Sequence, residues 1–277
     1  MAEITAQMVK ELRERSGLPM MDCKQALAET GGDMQKAFEE LRKRGAAAAE
    51  KKAGRATSEG RIGSFADKAK GVGALVEMQC ESAPVSNNPL FKELADKIAK
   101  VAAITGITDP EQIRNAKSID DPNQTVADLI NGVVNVIREN MQVGRVVRVE
   151  GYPAVYVHFN GKVGVIVGAK TTGSDDAVLS DVCMHIAAMS PQAVDRQSVS
   201  ADIVAKEREI AAELVKQSGK PANMIDKIVD GKMNRWFSER VLLEQPFVKD
   251  DKRSVGDVLK GANTSIVCFT RLQVGVA

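Results

Sequence analysis

The sequence has few aromatic residues and no excess of either charge. Aromatic residues make up 4% of the 277 positions, too few for the stacking platforms that hold single-stranded nucleic acid. Lys and Arg number 38 and Asp and Glu number 37, so no global field draws the chain towards nucleic acid or an anionic membrane. The composition therefore favours a protein that binds other proteins or small molecules, without a stable nucleic-acid partner.

The cysteine pattern and the lack of long apolar runs favour a cytoplasmic location. The four cysteines (Cys23, Cys80, Cys183 and Cys268) form no CxxC pair, which argues against a zinc site and fits reduced thiols. The first 15 residues lack the apolar core of a signal peptide, and no window approaches the ~20 apolar residues that cross a bilayer. We therefore predict a soluble cytoplasmic protein with no membrane partner. Because the last predicted strand ends close to residue 277, we expect no C-terminal extension.

The sequence offers no convincing catalytic site. It contains no P-loop and no GxSxG motif, and Gly71-Val72-Gly73 precedes a strand instead of opening a helix after one. A cysteine nucleophile needs a base within hydrogen-bond reach, but the two histidines, His158 and His185, are predicted in a different lobe from Cys80. Cys80 ends an apolar run, where a small thiol commonly packs in a core. We predict no enzymatic activity, no cofactor and no metal.

The first 45 residues predict three short helices packed as a small bundle. The predicted caps and ends are Thr5 and Ser16-Gly17 for the first helix, an Asp22–Gln25 capping box and Gly31-Gly32 for the second, and Asp33 and Gly45 for the third. Met20 and Met21 follow Pro19 and cannot both enter so small a core, so we expect one at the surface. Residues 42–55 then hold six Lys or Arg against one Glu. A solvated linker helix and a docking strip for an acidic partner are both open for this segment.

Beyond residue 60 the hydrophobic pattern alternates between strand and helix periods. The predicted elements are strands at 61–65 and 72–78, a polar loop at 81–88, a helix over 89–106 with Leu90, Leu94, Ile98 and Val101 inward, a weaker helix over 123–140, strands at 146–150, 154–159 and 162–169, and a helix over 177–191. Asn160-Gly161 is a strong hairpin turn between two of these strands. The succession of strand pair, loop and helix occurs twice, which predicts two related α+β lobes.

The C-terminal third predicts a protruding helical arm. Two helices, joined at residues 218–221 (SGKP), place Ile203, Ile210 and Leu214 opposite Met224, Ile228 and Trp236. A helix capped by Ser254 and a final strand complete the chain. The predicted fold is therefore α+β in three parts: a three-helix module with a linker helix (1–53), a first core lobe (54–143) and a second core lobe (144–277), which the coiled-coil arm (200–238) interrupts.

Several segments resemble the translation elongation factor Ts family. They are MVKELRERSGLPMMDCKQALAETGGDMQKAFEELRKRG near the N-terminus, then LADKIA, MHIAA, SGKP and QPFVKDDKRSVGDVL. The resemblance extends over essentially the whole chain. It implies a guanine-nucleotide exchange factor for the GTPase elongation factor Tu, which binds the GDP-bound form and promotes GDP release. It also implies a ubiquitin-associated-like N-terminal module, and leaves open a one-to-one complex or a dimer of the heterodimer.

The resemblance also implies a set of partner-binding residues. They are Arg13, Met20, Met21, Ser82, Ala83, Pro84, Val85, His158, Met184 and His185. For His185 the residues alone leave core packing and partner contact open. The Ser82–Val85 segment matches the loop with which the family disturbs the Mg²⁺ site of its GTPase.

The Ser82–Val85 loop departs from the family pattern in its side chains. Family members usually carry an acidic residue and a phenylalanine there, whereas this chain has Ala83 and Pro84. We hypothesise that the Pro84 loop displaces the GTPase by shape, because a fixed proline φ loses little entropy on docking. Two other classes remain as alternatives: an adaptor whose helical module binds ubiquitin-like ligands, and an RNA-binding accessory protein that uses the basic segment.

Overall fold

The computed structural model describes residues 4–170, 174–217 and 222–276 of the chain. Helices and strands both contribute to its cores, so the predicted α+β class is confirmed. The helices are α1 (Ala6–Ser16), α2 (Met20–Glu29), α3 (Met34–Glu50), α4 (Ala83–Ser86), α5 (Pro89–Thr105), α6 (Pro110–Asn115), α7 (Val126–Ile137), α8 (Asp176–Met189), α9 (Ala201–Gln217), α10 (Ala222–Arg240) and α11 (Val255–Gly261). The strands are β1 (Glu59–Asp67), β2 (Val72–Cys80), β3 (Met141–Glu150), β4 (Tyr152–Val157), β5 (Val163–Ala169), β6 (Pro246–Phe247), β7 (Asp250–Ser254) and β8 (Ile266–Gln273).

The first three helices pack around a small core of their own. The Thr5 hydroxyl accepts the Met8 N–H at 3.2 Å, and the Asp33 carboxylate accepts two N–H groups of α3, so both predicted caps are confirmed. The predicted Asp22–Gln25 capping box is wrong. Helix α2 begins at Met20, directly after Pro19, because proline supplies the extended backbone from which the helix starts.

Helix α3 continues past its predicted end at Gly45 and packs against α7. Gly45 is buried, and a Cβ there would lie 3.0 Å from the Asn135 amide nitrogen, so the missing side chain permits the close approach of the two helices. Arg42 of α3 also forms an ion pair with Asp128 of α7 at 2.7 Å. Tertiary contact therefore overrides the glycine stop signal, and it ties the N-terminal helices to the body of the protein.

The first sheet has the antiparallel order β1-β2-β3. Strand β3 was expected to open the second lobe, at a boundary after residue 143. It pairs instead with β2, where Val76 lies opposite Val146. The boundary at 143/144 is therefore wrong for the sheet, since it cuts through β3. Helix α5 covers this sheet with Leu94, Ile98 and Val101 buried as predicted, whereas Leu90 is exposed.

The second sheet has the antiparallel order β4-β5-β8, and α8 and α11 pack beside it. Strand β4 ends at Val157, two residues earlier than predicted, so a five-residue loop connects it to β5. Within this loop Gly161 adopts φ +72°, and its N–H donates to the His158 carbonyl at 2.7 Å. The capping box of α11, formed by Ser254 and Asp257, confirms the predicted start of that helix.

The two sheets share an apolar interface and a charged link. The interface consists of Ile62, Leu75, Val149, Ile166 and Leu272. At its side the buried Glu77 carboxylate accepts from Arg145 Nε at 2.7 Å and from the Gly275 N–H at 3.0 Å. Arg145 also donates to the Gln273 carbonyl at 2.6 Å, so one ion pair joins β2, β3 and the end of β8.

Helices α9 and α10 pack against each other through the predicted faces only in part, since Ile228 and Trp236 pack against the shared core as predicted. The buried side chains are Ala211, Val215, Val229, Met233 and Phe237. Ile203, Ile210, Leu214 and Met224 are instead exposed, by 42 to 53%. The predicted SGKP joint, residues 218–221, lies outside the described residues, as do residues 171–173 of the polar loop before α8.

Candidate partner-binding surface

The Ser82–Val85 segment follows the end of β2 and forms the start of α4, a single-turn helix (Ala83–Ser86) with Ser82 at its N-cap position. Ala83 and Pro84 face solvent, Ser82 is half-buried, and Val85 is buried at 8% exposure among the side chains of the first lobe. The Val85 side chain therefore belongs to the core of the free chain, and its expected contact with a partner stays a prediction. Ala83 and Pro84 form the tip that another protein can touch.

A carboxylate from a distant part of the chain holds this tip in place. Glu139 accepts hydrogen bonds from the Ser82 N–H at 3.0 Å and from the Ser82 hydroxyl at 2.6 Å. The Asn88 N–H donates to the Val85 carbonyl at 2.9 Å and closes the other side of the turn. Glu139 was not predictable from the sequence, since nothing in its local sequence indicates a partner 57 residues away. The tip is thus pre-organised in the free protein.

Cys80, directly before the tip, has the environment of a core thiol. It is fully buried, and burial, reinforced by the nearby Glu139 charge, raises its pKa to about 12. The thiol donates to the Ser82 carbonyl at 3.3 Å. A thiol that stays protonated at neutral pH is a poor nucleophile, so Cys80 acts as a packing residue and a support for the tip.

The loop between β4 and β5 presents His158 and Phe159, both of which were predicted to lie within a strand. His158 is half-buried, and its Nδ1 lies 2.9 Å from the Tyr156 hydroxyl. Phe159 is 89% exposed, and its ring centroid lies 4.4 Å from that of His158. A phenylalanine directly before an Asn-Gly turn was a signal that could have placed it at the loop tip.

Contacts along β1 connect this loop to the Ala83-Pro84 tip. The Ile62 N–H donates to the Gly161 carbonyl at 2.8 Å, and Lys162 Nζ binds the Glu59 carboxylate at 2.8 Å. Glu59 lies opposite Cys80 in the β1–β2 pair. The β4–β5 loop and the Ala83-Pro84 tip therefore border the same end of the first hairpin.

The start of α2 carries two exposed methionines and an ion pair to the segment that holds the tip. Met20 and Met21 are 52% and 71% exposed, so both methionines lie at the surface and not only one. The next residue, Asp22, binds Arg138 at 3.4 Å, and Arg138 directly precedes the Glu139 that holds Ser82. Arg13 is also exposed, one turn before the end of α1, but no contact given by the described residues links it to the tip. An ion pair thus links the start of α2, through Arg138 and the adjacent Glu139, to the residue that precedes the tip.

His185 and Met184 lie apart from this surface. His185 has no exposed area; it pairs with Gln245 Oε1 through Nε2 at 2.9 Å and accepts the Val248 N–H at Nδ1 at 3.2 Å. Burial lowers the pKa of the imidazole below its usual value. In this conformation the ring fixes residues 245–248 against α8, and the expected partner contact by His185 stays a prediction. Met184 is half-buried on the same helix.

Three arginines of the basic segment 42–55 bind carboxylates of the chain itself. The pairs are Arg42 with Asp128, Arg44 with Glu29, and Arg55 with Glu81. Such pairing lowers the charge that the segment can offer to an acidic partner or to RNA phosphates. The segment is in large part a helical connection between the N-terminal helices and the first sheet.

Within ranges 4–170, 174–217 and 222–276, no three His, Cys, Asp or Glu side chains cluster closely enough to hold a metal ion. In the same ranges no helix combines the length and apolar character that a bilayer crossing requires.

Comparison with known proteins shows that this chain is similar to the members of one family. A family model described as "Elongation factor TS" matches residues 81–276. Elongation factor Ts of Hydrogenovibrio crunogenus is 42% identical, over 98% of this chain and 92% of that protein. Elongation factor Ts of Aquifex aeolicus is 40% identical over 96% of each chain, and that of Nitratidesulfovibrio vulgaris is 39% identical over 98% of this chain and 96% of its own.

Proposed function

The chain belongs to the translation elongation factor Ts family, and from this we propose that it is a guanine-nucleotide exchange factor for elongation factor Tu. It binds the GDP-bound GTPase and promotes GDP release. One observation supports this beyond family membership. The exposed Met20 and Met21 are joined to the pre-organised Ala83-Pro84 tip through the Asp22–Arg138 ion pair and the adjacent Glu139.

Exchange by this protein requires differential affinity and no reacting group. A factor that binds the empty GTPase more tightly than the GDP-bound form weakens GDP binding by the same factor. A ~10⁴-fold effect needs about 5.5 kcal/mol of differential contact.

We assign the displacement step to the Ala83-Pro84 tip. Its backbone is held by Glu139 through Ser82 on one side and by Asn88 on the other. A tip already fixed in the free protein loses little entropy when it presses between elements of the GTPase. The elements to be moved are those that position the phosphate-binding amides and Mg²⁺ of the partner, since these hold most of the nucleotide charge.

Three finer assignments belong to the same proposal. The three N-terminal helices act as a ubiquitin-associated-like module that grips the GTPase domain through Arg13, Met20 and Met21. His158 contacts the GTPase from the second sheet. Helices α9 and α10 form a protruding coiled-coil arm.

The test is fluorescent GDP release from elongation factor Tu, measured by stopped flow across factor concentrations. Wild-type protein accelerates release, whereas Pro84→Gly, which frees the backbone of the tip, slows accelerated release about tenfold. His158→Ala reduces it by a similar factor. Pro110→Gly, the same change at the start of α6, serves as the matched control and retains wild-type rates.

Three results would count against parts of this proposal. A wild-type protein without effect on GDP release, or with equal affinity for GDP-bound and empty GTPase, would refute the exchange function. Wild-type rates in both Pro84→Gly and His158→Ala would remove these two residues from the mechanism while leaving the function intact.

A further inference from the structure

Phe159 is the most exposed large apolar side chain in the part of the chain that the structure describes. Its exposure is 89%, against 71% for Met21, the next highest. Single exposed apolar residues are common on protein surfaces, so exposure alone assigns no role. What distinguishes Phe159 is how rigidly the surrounding loop is held and where it lies.

Backbone hydrogen bonds fix the loop on both sides of Phe159. The His158 N–H donates to the Val163 carbonyl at 2.8 Å, and the Gly161 N–H returns to the His158 carbonyl at 2.7 Å. The Lys162 carbonyl accepts the Val274 N–H at 2.9 Å, and the Asn160 side chain accepts the Lys162 N–H at 2.9 Å. An aromatic ring on such a loop has little backbone entropy left to lose on binding.

The loop also packs closely against the first sheet, which fixes its direction. A Cβ at Gly161 would lie 2.5 Å from Arg61 Nη1, and one at Gly164 would lie 2.4 Å from Ile62 Cγ2. The two glycines therefore allow the β4–β5 hairpin to lie directly on β1. Through Lys162 and Glu59 the loop borders the end of β2, from which the Ala83-Pro84 tip emerges.

We propose that Phe159 is an aromatic anchor that inserts into an apolar cleft of the GTPase partner, beside the site pressed by the Ala83-Pro84 tip. This inference rests on the proposed exchange function and specifies its contact surface. Continuity with the tip through Lys162, Glu59 and Cys80 supports the GTPase as the occupant. Large aromatic side chains that become fully buried at the centre of an interface commonly dominate its affinity.

The anchor contributes mainly to binding, while the tip contributes to displacement. Burial of the Phe159 ring in complexes with both GDP-bound and empty GTPase stabilises the two forms alike. Removing the ring therefore raises the factor concentration that gives half-maximal GDP release, with a smaller change in the rate at saturation.

The experiment compares Phe159→Ala, Phe159→Leu and wild type in fluorescent GDP release from elongation factor Tu over a wide range of factor concentrations. For Phe159→Ala we expect the half-maximal concentration to rise about tenfold or more, and for Phe159→Leu about threefold. Val267→Ala removes an apolar side chain that is 64% exposed on β8 and serves as the matched control, with wild-type behaviour. Unfolding midpoints of all variants remain near wild type, since an exposed ring contributes little to stability.

The outcomes separate this inference from the function on which it rests. If wild type accelerates GDP release and Phe159→Ala matches it at every concentration, Phe159 is not an anchor and the exchange function stands. If wild type has no effect, the proposed function fails and this inference fails with it. If sedimentation shows that Phe159→Ala changes self-association of the free chain and not its affinity for the GTPase, the ring contacts a second copy and the inference is wrong.

Discussion

The two ring nitrogens of His185 face different partners, and this fixes the protonation state of the ring. Nδ1 accepts the Val248 N–H at 3.2 Å, so the ring proton resides on Nε2 and points to Gln245 Oε1, 2.9 Å away. A second proton on Nδ1 would place two donors face to face. The position of the Val248 N–H therefore disfavours the doubly protonated ring. Burial also disfavours it and lowers the pKa of the ring.

This lowered pKa predicts a pH dependence of stability. The unfolded chain takes up a proton near the ordinary histidine pKa of about 6.5, whereas the buried ring does so only at lower pH. The unfolded state therefore binds more protons as the pH falls below that value, and the free energy of unfolding decreases. We expect the urea midpoint of wild type to fall between pH 7 and 5, and that of His185→Gln to fall less.

The comparison of the two profiles is the measurement. Carboxylates titrate in both proteins, so their contribution cancels in the difference between wild type and His185→Gln. Parallel profiles across this pH range would show that His185 does not carry the effect.

The placement of single residues was only partly predictable from the sequence. Exposure of Met20 and Met21 followed from the small size of the N-terminal bundle, although both are exposed and not one. The burial of His185 and Val85 was not predictable, because their neighbours come from distant segments. Gln245, for example, lies 60 residues after His185.

At the scale of elements, helix starts were predictable where a side chain caps its own helix. Thr5, Asp33 and Ser254 cap as expected because the donor and acceptor lie within three residues of each other. Helix ends and faces depend on tertiary packing. Helix α3 passes Gly45 because α7 covers it, and α9 turns a different apolar stripe towards α10.

The observed α9–α10 interface predicts which side chains stabilise it. Val229 is 3% exposed and Leu214 is 53% exposed. Val229→Ala leaves a cavity between the helices and should lower the free energy of unfolding by about 2 kcal/mol. Leu214→Ala should change it by less than about 0.5 kcal/mol, because the leucine contacts mostly solvent.

Urea unfolding of the two variants, followed by circular dichroism, checks this expectation. The faces predicted from periodicity give the opposite order, with Leu214 the more costly residue to truncate. A larger loss for Leu214→Ala than for Val229→Ala would therefore favour the sequence-based arrangement over the one described here.

At the scale of the whole molecule, the Glu77–Arg145 pair couples the two sheets. Glu77 is 2% exposed, and Arg145 is its only ion-pair partner among the described residues. Arg145→Met leaves a buried carboxylate with the Gly275 N–H alone. Because about a third of the Arg145 side chain reaches solvent, we expect a loss of about 2 kcal/mol, below the 3–5 kcal/mol typical of fully buried pairs.

A surface pair provides the control for this variant. Arg235 and Glu239 lie 3.0 Å apart with side-chain exposures of 82% and 53%. Arg235→Met should change the urea midpoint little, since exposed pairs contribute less than about 1 kcal/mol. Equal losses for Arg145→Met and Arg235→Met would show that the buried pair does not couple the sheets.

The pairing of strands into sheets was the feature of the fold that the sequence predicted least well. Alternation of apolar and polar residues identifies a strand but not its partner, so β3 was assigned to the second lobe although it pairs with β2. Between β3 and β4, Gly151 adopts φ +101° and its N–H donates to the Gly71 carbonyl at 3.0 Å. This single glycine allows consecutive strands to enter different sheets.

The uneven burial of the four thiols has a practical consequence for studying this factor. Cys23, Cys80 and Cys183 are enclosed, whereas Cys268 on the outer strand β8 is open to solvent. A maleimide dye added to the native protein should therefore attach at one position, without any engineered cysteine. The unmodified sequence thus already supplies a site for fluorescence anisotropy or energy-transfer measurements of complex formation.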